Sequence, residues 1–431
     1  MVERKPLSRG KRFVFGLILL GLLYGFMELV SFLTLSIVGG RPFSFTAARA
    51  QRQEAAAVVQ DAAATAELEV LHPYVGYLYN PEAPELPVPG PVNQIGLPGS
   101  ESPIRKRSPN KVIVGIFGGS VAFGFARDCP VELERTLQAS PEFAGKKFEF
   151  VNASLQGYKQ PQQLMLLTYL LSLGAEFDIV INLDGYNEMA LYPVENRASH
   201  VFAPFPRLWQ IRAAGTPDPQ QRELLGQTTY LRGERARWAL LFNHVPLSAC
   251  VTAQLVWKLN DERLKQAAVR SETALRDYKP KKVPYALRGP AEAAMDDAQM
   301  YNELADYWVR GSIQMHNLCE KNGTRYVHLL QPNQYVAGSK ELTDEEKKSA
   351  IKDGFAYNDG VLKGYPVLQA RSAELLNAGV RYKDLTMVFK DVKETLYLDY
   401  CCHFNQNGNE ILAREIGKFI LESPAPGAAK P

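Results

Sequence analysis

Apolar and polar positions divide the chain into parts with different patterns. Residues 13–38 are apolar except for Glu28 and a few small polar residues. From residue 111 onward, short apolar runs alternate with stretches whose apolar positions recur at helical spacing. Runs that are apolar throughout, rather than at every second position, are typical of strands buried on both faces of a parallel sheet. The predicted fold is therefore α/β, preceded by an N-terminal transmembrane helix.

The alternation predicts individual strands and the helices between them. Strands are expected at 111–117, 146–154, 177–183, 325–330 and, more weakly, 386–389. Between about 195 and 305 the strands stop, and Arg- and Glu-rich helical stretches with several prolines predict a helical insertion. The α/β domain is predicted to cover 108–422. The tail 423–431, rich in Pro, Ala and Gly, is expected to be disordered.

The apolar segment 13–38 is long enough to cross a membrane. With a rise of about 1.5 Å per residue, a helix of this length spans a hydrocarbon core of about 30 Å with room for tilt. Basic residues dominate the preceding segment 1–12, which predicts a cytoplasmic N-terminus and a periplasmic or extracellular main domain. The alternative is a cleaved signal peptide, whose apolar region is normally about 7–15 residues. An uncleaved, single-pass signal anchor is therefore the preferred interpretation.

The segment 39–107 is interpreted as a stalk and an extended lead-in to the main domain. Ala, Gln and Glu are frequent in its first part and favour a helix, whereas Pro, Gly and Asn are frequent in its second part and favour extended chain and turns. Glu28 leaves two interpretations open, because an acid facing lipid is costly. It either faces a partner within the membrane or lies near the middle of a lone helix.

Composition and cysteine spacing narrow the function classes. The 431 residues are 46% apolar, which is enough for a substantial core, and the formal charge of +3 gives no indication of a nucleic-acid partner. The five cysteines form no C-x-x-C pair and there is no histidine cluster, so no metal site is predicted. A disulfide from Cys129 to Cys401 or Cys402 and buried, inert thiols both remain open.

Candidate catalytic residues follow the predicted strands, where parallel sheets carry their sites. Ser120 in "GGSVAFG" follows the first strand, Gly157 the second and Asn187 in "GYNE" the third, while Asp399 and His403 precede the last helix. A serine nucleophile needs a base, usually histidine, and the developing oxyanion needs backbone and amide donors. An aspartate beside the histidine can fix its tautomer. The set is therefore that of an acyl-transfer site.

These segments resemble the four blocks of the SGNH (GDSL-like) hydrolase superfamily, and the resemblance covers residues 108–422 apart from the insertion. It implies a flavodoxin-like three-layer α/β/α fold in which Ser120 is the nucleophile, His403 the base, and Ser120, Gly157 and Asn187 the oxyanion hole. It also implies Ser–His catalysis on acyl esters, often acetyl esters of sugars, for which we expect no cofactor. The lead-in "HPYVGYLYNP…VNQIGLPG" resembles that of membrane-attached members.

The sequence departs from the family pattern next to the histidine. The family usually places an aspartate three residues before it, whereas here that position is Tyr400 and Asp399 stands four before. Either a local bulge brings Asp399 to the imidazole, or the site is a Ser–His dyad whose ring is oriented by a backbone carbonyl. The structural alternative is an α/β-hydrolase with a near G-x-S-x-G elbow. That fold does not account for Gly157 and Asn187.

The resulting functional expectation is a membrane-anchored serine esterase that acts on acyl esters, with acetylated cell-envelope polysaccharide as the natural substrate for an exported enzyme. Two alternatives remain open. The same site acts as an O-acyltransferase if a glycan alcohol displaces the acyl group. A catalytically inactive structural or assembly protein of the envelope would keep the fold without the activity.

Overall fold

The computed structural model describes residues 8–64, 68–83, 90–213, 219–278 and 284–422. The predicted tail 423–431 and residues 1–7 of the predicted cytoplasmic segment lie outside the described residues. The chain divides into two compact units, each made of two stretches of sequence. They are a helical unit of Met1–Ala66 and Thr216–Lys282, and an α/β unit of Glu67–Gly215 and Val283–Pro431.

The α/β unit contains a two-stranded antiparallel hairpin and a five-stranded parallel sheet. The hairpin strands are β1 (Glu69–His72) and β2 (Gly76–Tyr79). The sheet strands are β3 (Lys111–Gly118), β4 (Lys147–Ser154), β5 (Ile179–Asp184), β6 (Arg325–Leu330) and β7 (Tyr382–Asp384). The predicted α/β class is thereby confirmed.

The strand order in the sheet is β4-β3-β5-β6-β7, and every neighbouring pair is parallel. The chain therefore moves outward from β3 to β4 and then returns to the other side of β3 with β5. Every residue of β5 and β6 is buried, in agreement with apolar runs that lack alternation. The reversal of direction leaves a crevice beyond the carboxyl ends of β3 and β5, which is where open α/β sheets bind ligands.

The last strand is not where the sequence pattern placed it. The prediction of a strand at 386–389 is wrong, and β7 lies just before that run. Thr386 donates its backbone N–H to Oδ1 of Asp384 over 2.8 Å, which turns the chain out of the sheet at the end of β7. The apolar run after it packs as a turn, with Phe389 fully buried in the core.

The helices of the α/β unit form two groups of contacting elements. The helices in this unit are α3 (Ser120–Asp128), α4 (Pro130–Gln138), α5 (Gln162–Ser172), α6 (Tyr186–Leu191), α7 (Trp209–Arg212), α10 (Tyr285–Arg288), α11 (Asp297–Lys321), α12 (Asp344–Ser349), α13 (Tyr365–Asn377) and α14 (Gln406–Leu421). Helix α14 contacts α3 and α4, whereas α11 contacts α5 and α13. Apolar residues of both groups pack with those of the strands into one continuous core.

The helical unit contains α1 (Arg9–Gly39), α2 (Phe45–Ala64), α8 (Pro219–Leu241) and α9 (Val251–Asp277). Helix α1 is long and apolar enough to span a membrane, and none of its most apolar window is buried. Helix α2 packs on α8, α8 on α9 and α9 on α1. Much of the predicted insertion thus joins the N-terminal segment in this unit.

Glu28 of α1 has a partner within the same chain. Its carboxylate accepts the backbone N–H of Val251 (2.7 Å) and of Thr252 (2.8 Å), at the start of α9. The Cys250 thiol donates to it over 3.0 Å. Of the two interpretations left open by the sequence, the structure shows a partnered Glu28, and the partner is a helix N-terminus of this unit.

Candidate active site

Ser120 lies at the carboxyl end of β3, where the strand passes directly into α3. Gly118 has φ +146°, and a methyl group there would overlap the backbone carbonyl of Leu183 in β5. Only glycine allows this close approach of two neighbouring strands at the turn. The turn places Ser120 at the first position of α3, half-buried at the edge of the sheet. Its hydroxyl therefore faces the crevice beyond β3 and β5.

His403 lies in a short loop whose two ends are paired. Tyr397 and Phe404 form an antiparallel bridge, and Leu398 donates its N–H to the carbonyl of His403 over 2.9 Å. The apolar side chains of Tyr397 and Phe404 are both buried in the core. The loop is thus fixed at its base, immediately before α14, and it presents the imidazole toward the crevice.

Asp399 reaches the imidazole although it stands four residues before it. Its Oδ1 accepts the backbone N–H of Cys401 (2.9 Å) and of Cys402 (3.1 Å), which folds the loop back on itself. Its Oδ2 lies 2.6 Å from Nδ1 of His403. The ring is therefore oriented by a carboxylate, as the bulge interpretation predicts, and not by a backbone carbonyl.

Ser120, His403 and Asp399 form one continuous hydrogen-bonded chain. Nε2 of His403 lies 2.8 Å from Oγ of Ser120. Because Asp399 accepts from Nδ1–H, the arrangement leaves Nε2 as the acceptor for the serine hydroxyl. A serine hydroxyl whose proton can pass to an imidazole held by a carboxylate is chemically suited to nucleophilic attack.

The carboxylate and the imidazole change each other's protonation. Burial of Asp399 favours its neutral form, but its bonds from His403 and from the backbone outweigh burial and lower its pKa. Burial of His403 likewise opposes its charged form, but the bond to Asp399 and the nearby charges raise the pKa of the imidazole above its ordinary value. The pair therefore favours an imidazolium once His403 has accepted a proton.

Asn187 lies directly beside the residue that precedes Ser120. It is the second residue of α6, just after β5, and its Nδ2 donates to the carbonyl of Tyr158 over 2.8 Å. A methyl group on Gly119 would overlap Nδ2, so the amide fills the space next to the serine turn. One N–H of the amide is used by Tyr158, and the group carries a second one.

Gly157 lies in the loop after β4, one residue before Tyr158. It has φ +79°, and a methyl group there would overlap the side chain of Arg207. The loop is tied to the crevice because Leu155 donates its N–H to the carbonyl of Gly118 over 3.3 Å. The predicted site residues Ser120, Gly157 and Asn187 thus come from the ends of three adjacent strands.

Glu188 fixes the two loops that carry Gly157 and Asn187. Its buried carboxylate accepts the N–H of Gly185 (2.8 Å), the N–H of Gln160 (3.0 Å) and the side-chain amide of Gln163 (3.0 Å). Burial and the charge of Asp184 raise the pKa of Glu188 to about 8, against the effect of these donors. The glutamate of "GYNE" therefore has a structural role, holding the loops after β4 and β5 together.

Arg207 packs against Gly157 of the predicted site, a contact that the sequence did not reveal. It lies in the predicted insertion and pairs with Glu195, with Nε 3.0 Å from Oε2. Tyr357 donates its hydroxyl to the same carboxylate over 3.0 Å. No local pattern distinguishes Arg207 from the other arginines of this region, because its pairing is set by the tertiary fold.

A cavity of about 240 Å³ opens beside the hydroxyl of Ser120. Side chains around it include Phe123, Arg127, Gln156 and Leu398, together with Asp399 and His403. A small acyl substituent fits within this volume. Gly157 and Asn187 are not among the residues that line it.

The cysteines are free thiols, including Cys129, so the disulfide left open by the sequence is not formed. Sγ of Cys401 lies 3.2 Å from Sγ of Cys402, and with His403 these residues form the one group of metal-binding side chains found in the described part of the chain. Both ring nitrogens of His403 are already bonded to Asp399 and Ser120. Two adjacent thiols without the imidazole do not make a closed metal site.

Comparison with models of known protein families finds no family that matches this chain, and comparison with curated proteins finds no matching protein.

Proposed function

We propose that the protein is a serine ester hydrolase of the SGNH type. The observation that carries the proposal is the chain of hydrogen bonds from Asp399 through His403 to Ser120. The strand order, in which the chain reverses between β3 and β5, supports a flavodoxin-like α/β/α arrangement. The site residues follow the strand ends in the order that the superfamily resemblance implies.

The proposed reaction has two halves. His403 takes the hydroxyl proton of Ser120 as its oxygen attacks the acyl carbonyl, and then gives the proton to the departing alcohol. The resulting acyl-serine is attacked by water, whose proton passes to His403 and then back to Ser120. Asp399 holds the imidazole in the required tautomer and stabilises its charged form.

The oxyanion that forms in each half of the reaction is stabilised by hydrogen-bond donors near Ser120. The backbone N–H of Ser120 lies at the start of α3, where helix N–H groups have no intrahelical acceptor and favour negative charge. The N–H of Gly157 and the second N–H of the Asn187 amide complete the set. Such donors act together because each comes from a loop fixed at the end of a different strand.

Small acyl groups, acetyl above all, fit the cavity beside Ser120. With α1 as a membrane anchor and the basic residues before it in the cytoplasm, the α/β unit would be exported. Acylated polysaccharide of the cell envelope is then the substrate class we propose. If a glycan alcohol replaces water in the second half, the same residues carry out O-acyl transfer.

The experiment is an ester hydrolysis assay on the purified full chain. We expect release of p-nitrophenol from p-nitrophenyl acetate and of acetate from acetylated glycans, and we expect Ser120→Ala to abolish both. Ser172→Ala, an exposed serine on α5, is the matched control and should leave the rates unchanged. If wild type and Ser120→Ala are equally inert on all substrates, the alternative of an inactive envelope protein gains support.

A further inference from the structure

A segment of 20 residues in the helical unit carries no Asp, Glu, Lys or Arg. It runs from Trp238 to Trp257 and is flanked by Arg237 and Lys258. It comprises the end of α8, the turn after it and the first turns of α9. The remaining parts of both helices are rich in charged residues, so the change in composition is confined to this end. We call 238–257 the hairpin tip.

The hairpin tip exposes large apolar side chains. Val245 is 81% exposed, and Leu240, Leu241 and Val256 are each about half exposed. Two of its polar side chains are bonded: Asn243 accepts from Arg52 over 2.8 Å, and Gln254 donates to the carbonyl of Leu247 over 2.8 Å, whereas Oε1 of Gln254 and Nε1 of Trp257 are buried without a partner. Large apolar side chains exposed on a segment without Asp, Glu, Lys or Arg suit a lipid environment, where charged groups are costly.

Glu28 fixes the position of the hairpin tip along α1. Its carboxylate binds the first N–H groups of α9, and one turn later Ser31 donates its hydroxyl to Oγ1 of Thr252 over 3.1 Å. The carboxylate thus satisfies donors that a helix N-terminus leaves without an intrahelical acceptor. In turn, those donors satisfy a carboxylate on an otherwise apolar helix.

The depth of this contact follows from helix geometry. Sixteen residues separate Arg12 from Glu28, which at about 1.5 Å each is roughly 24 Å along the axis. The hydrocarbon core is about 30 Å thick. With Arg12 at the inner boundary, Glu28 and the start of α9 therefore lie about 6 Å inside the outer boundary. Lys258 comes seven residues after Val251 on α9, which is about 10 Å along the helix axis. It therefore returns to the headgroup region.

We propose that the hairpin tip is immersed in the outer leaflet, where Leu240, Leu241 and Val245 contact lipid acyl chains and Arg237 and Lys258 face the phosphates. The inference rests on the proposed membrane span of α1. It makes the helical unit a two-part anchor, with one helix that crosses the bilayer and one hairpin that enters it from outside. The occupant of the exposed apolar surface is phospholipid, not a second protein.

The test places an environment-sensitive NBD amino acid at single positions by stop-codon suppression. The full chain is reconstituted into phosphatidylcholine–phosphatidylglycerol nanodiscs, with or without 5-doxyl phosphatidylcholine, and iodide serves as the aqueous quencher. The probe replaces Val245, and the matched control replaces Val269, a valine on α9 that is 53% exposed. We expect doxyl lipid to quench the Val245 probe at least twofold more than the Val269 probe, and iodide to show the opposite order.

The outcomes separate this inference from the membrane span itself. A third probe at Leu20, in the middle of α1, is measured with 12-doxyl phosphatidylcholine, whose nitroxide lies deeper in the bilayer, and must be quenched by it if α1 crosses the bilayer. Quenching at Leu20 together with free access of iodide to Val245 would overturn the hairpin proposal alone. Protection of Val245 from iodide without doxyl quenching would mean that protein covers the tip, and would also overturn it. No quenching at Leu20 would reject the membrane span.

Discussion

Nε2 of His403 lies 2.8 Å from Oγ of Ser120, although 283 positions separate the two residues in the chain. The contact exists because β3 ends at the Ser120 turn and a paired loop before α14 brings His403 to the same edge of the sheet. Each residue is fixed by its own backbone structure: Ser120 by the strand-to-helix turn, and His403 by the bridge at the base of its loop.

Replacing the Asp399 carboxylate, which orients the His403 imidazole, should change both the catalytic rate and its pH dependence. His403 must be neutral to accept the Ser120 proton, so kcat/KM falls on the acid side as the imidazole becomes protonated. Asp399 raises the pKa of His403, which places this acid limb above the ordinary value of about 6.5. Asp399→Asn should lower kcat by about 10⁴-fold at neutral pH and move the limb to lower pH. Steady-state rates from pH 5 to 9 measure both effects.

The control for that experiment is Asp391→Asn, an exposed aspartate in the loop before the His403 segment. It should keep the wild-type profile. An unchanged acid limb in Asp399→Asn would show that the carboxylate does not set the protonation of the catalytic imidazole.

The Asn187 amide should contribute to the transition state rather than to substrate binding. Removing one oxyanion donor typically costs about 10²–10³ in kcat. We expect Asn187→Ala to show this loss with KM changed little, whereas Asn302→Ala, an exposed asparagine on α11, should be neutral. Circular dichroism and thermal unfolding establish that the variant is folded. A loss confined to KM would assign Asn187 to binding instead.

The size of the cavity predicts the preferred acyl group. Leu398 lines the cavity and is 57% exposed, so its truncation widens the opening without leaving a hole in the core. Leu398→Ala should raise the rate on p-nitrophenyl butyrate relative to acetate several-fold, while the free energy of unfolding changes by about 0.5 kcal/mol or less. Leu376→Ala, a similarly exposed leucine on α13, should leave the ratio unchanged. An unaltered ratio in Leu398→Ala would place the acyl group elsewhere.

Glu28 should stabilise the start of α9. Loss of a side-chain cap at a helix N-terminus costs about 1 kcal/mol, which corresponds to roughly a fivefold faster opening of the first turn. Glu28→Ala should therefore accelerate hydrogen exchange of the Val251 and Thr252 amides by about this factor. Glu54→Ala, on an exposed part of α2, should not. Exchange that is equally slow in Glu28→Ala would mean that another group satisfies these donors.

Much of the α/β unit could be predicted because its signals are local. The runs at 111–117 and 325–330 are mostly apolar, without a polar residue at every second position, and correspond closely to β3 and β6. The positions of Ser120, Gly157 and Asn187 followed from strand ends alone, since parallel strands bring those ends to one edge. The short strand β7 was missed because Lys383 and Asp384 have low strand propensity and only its pairing with β6 defines it.

Features that depend on tertiary contacts could not be predicted. The sequence left open whether Asp399 reaches the imidazole, because the answer depends on three backbone N–H groups that turn the loop. The packing of Arg207 on Gly157 joins loops far apart in the sequence. The partner of Glu28 lies 223 positions away, at a helix N-terminus that has no charged residue to indicate it.

The central claim is that Ser120 is a nucleophile activated by His403, and labelling by a fluorophosphonate probe tests it most directly. Such a probe reacts with a serine only when its hydroxyl is activated as in catalysis. We predict a single phosphonylated residue, identified as Ser120 by peptide mass spectrometry, with labelling lost in His403→Ala and Ser120→Ala and retained in Ser172→Ala. Absence of labelling in the folded wild-type chain, or labelling of Ser120 that persists in His403→Ala, would contradict the account.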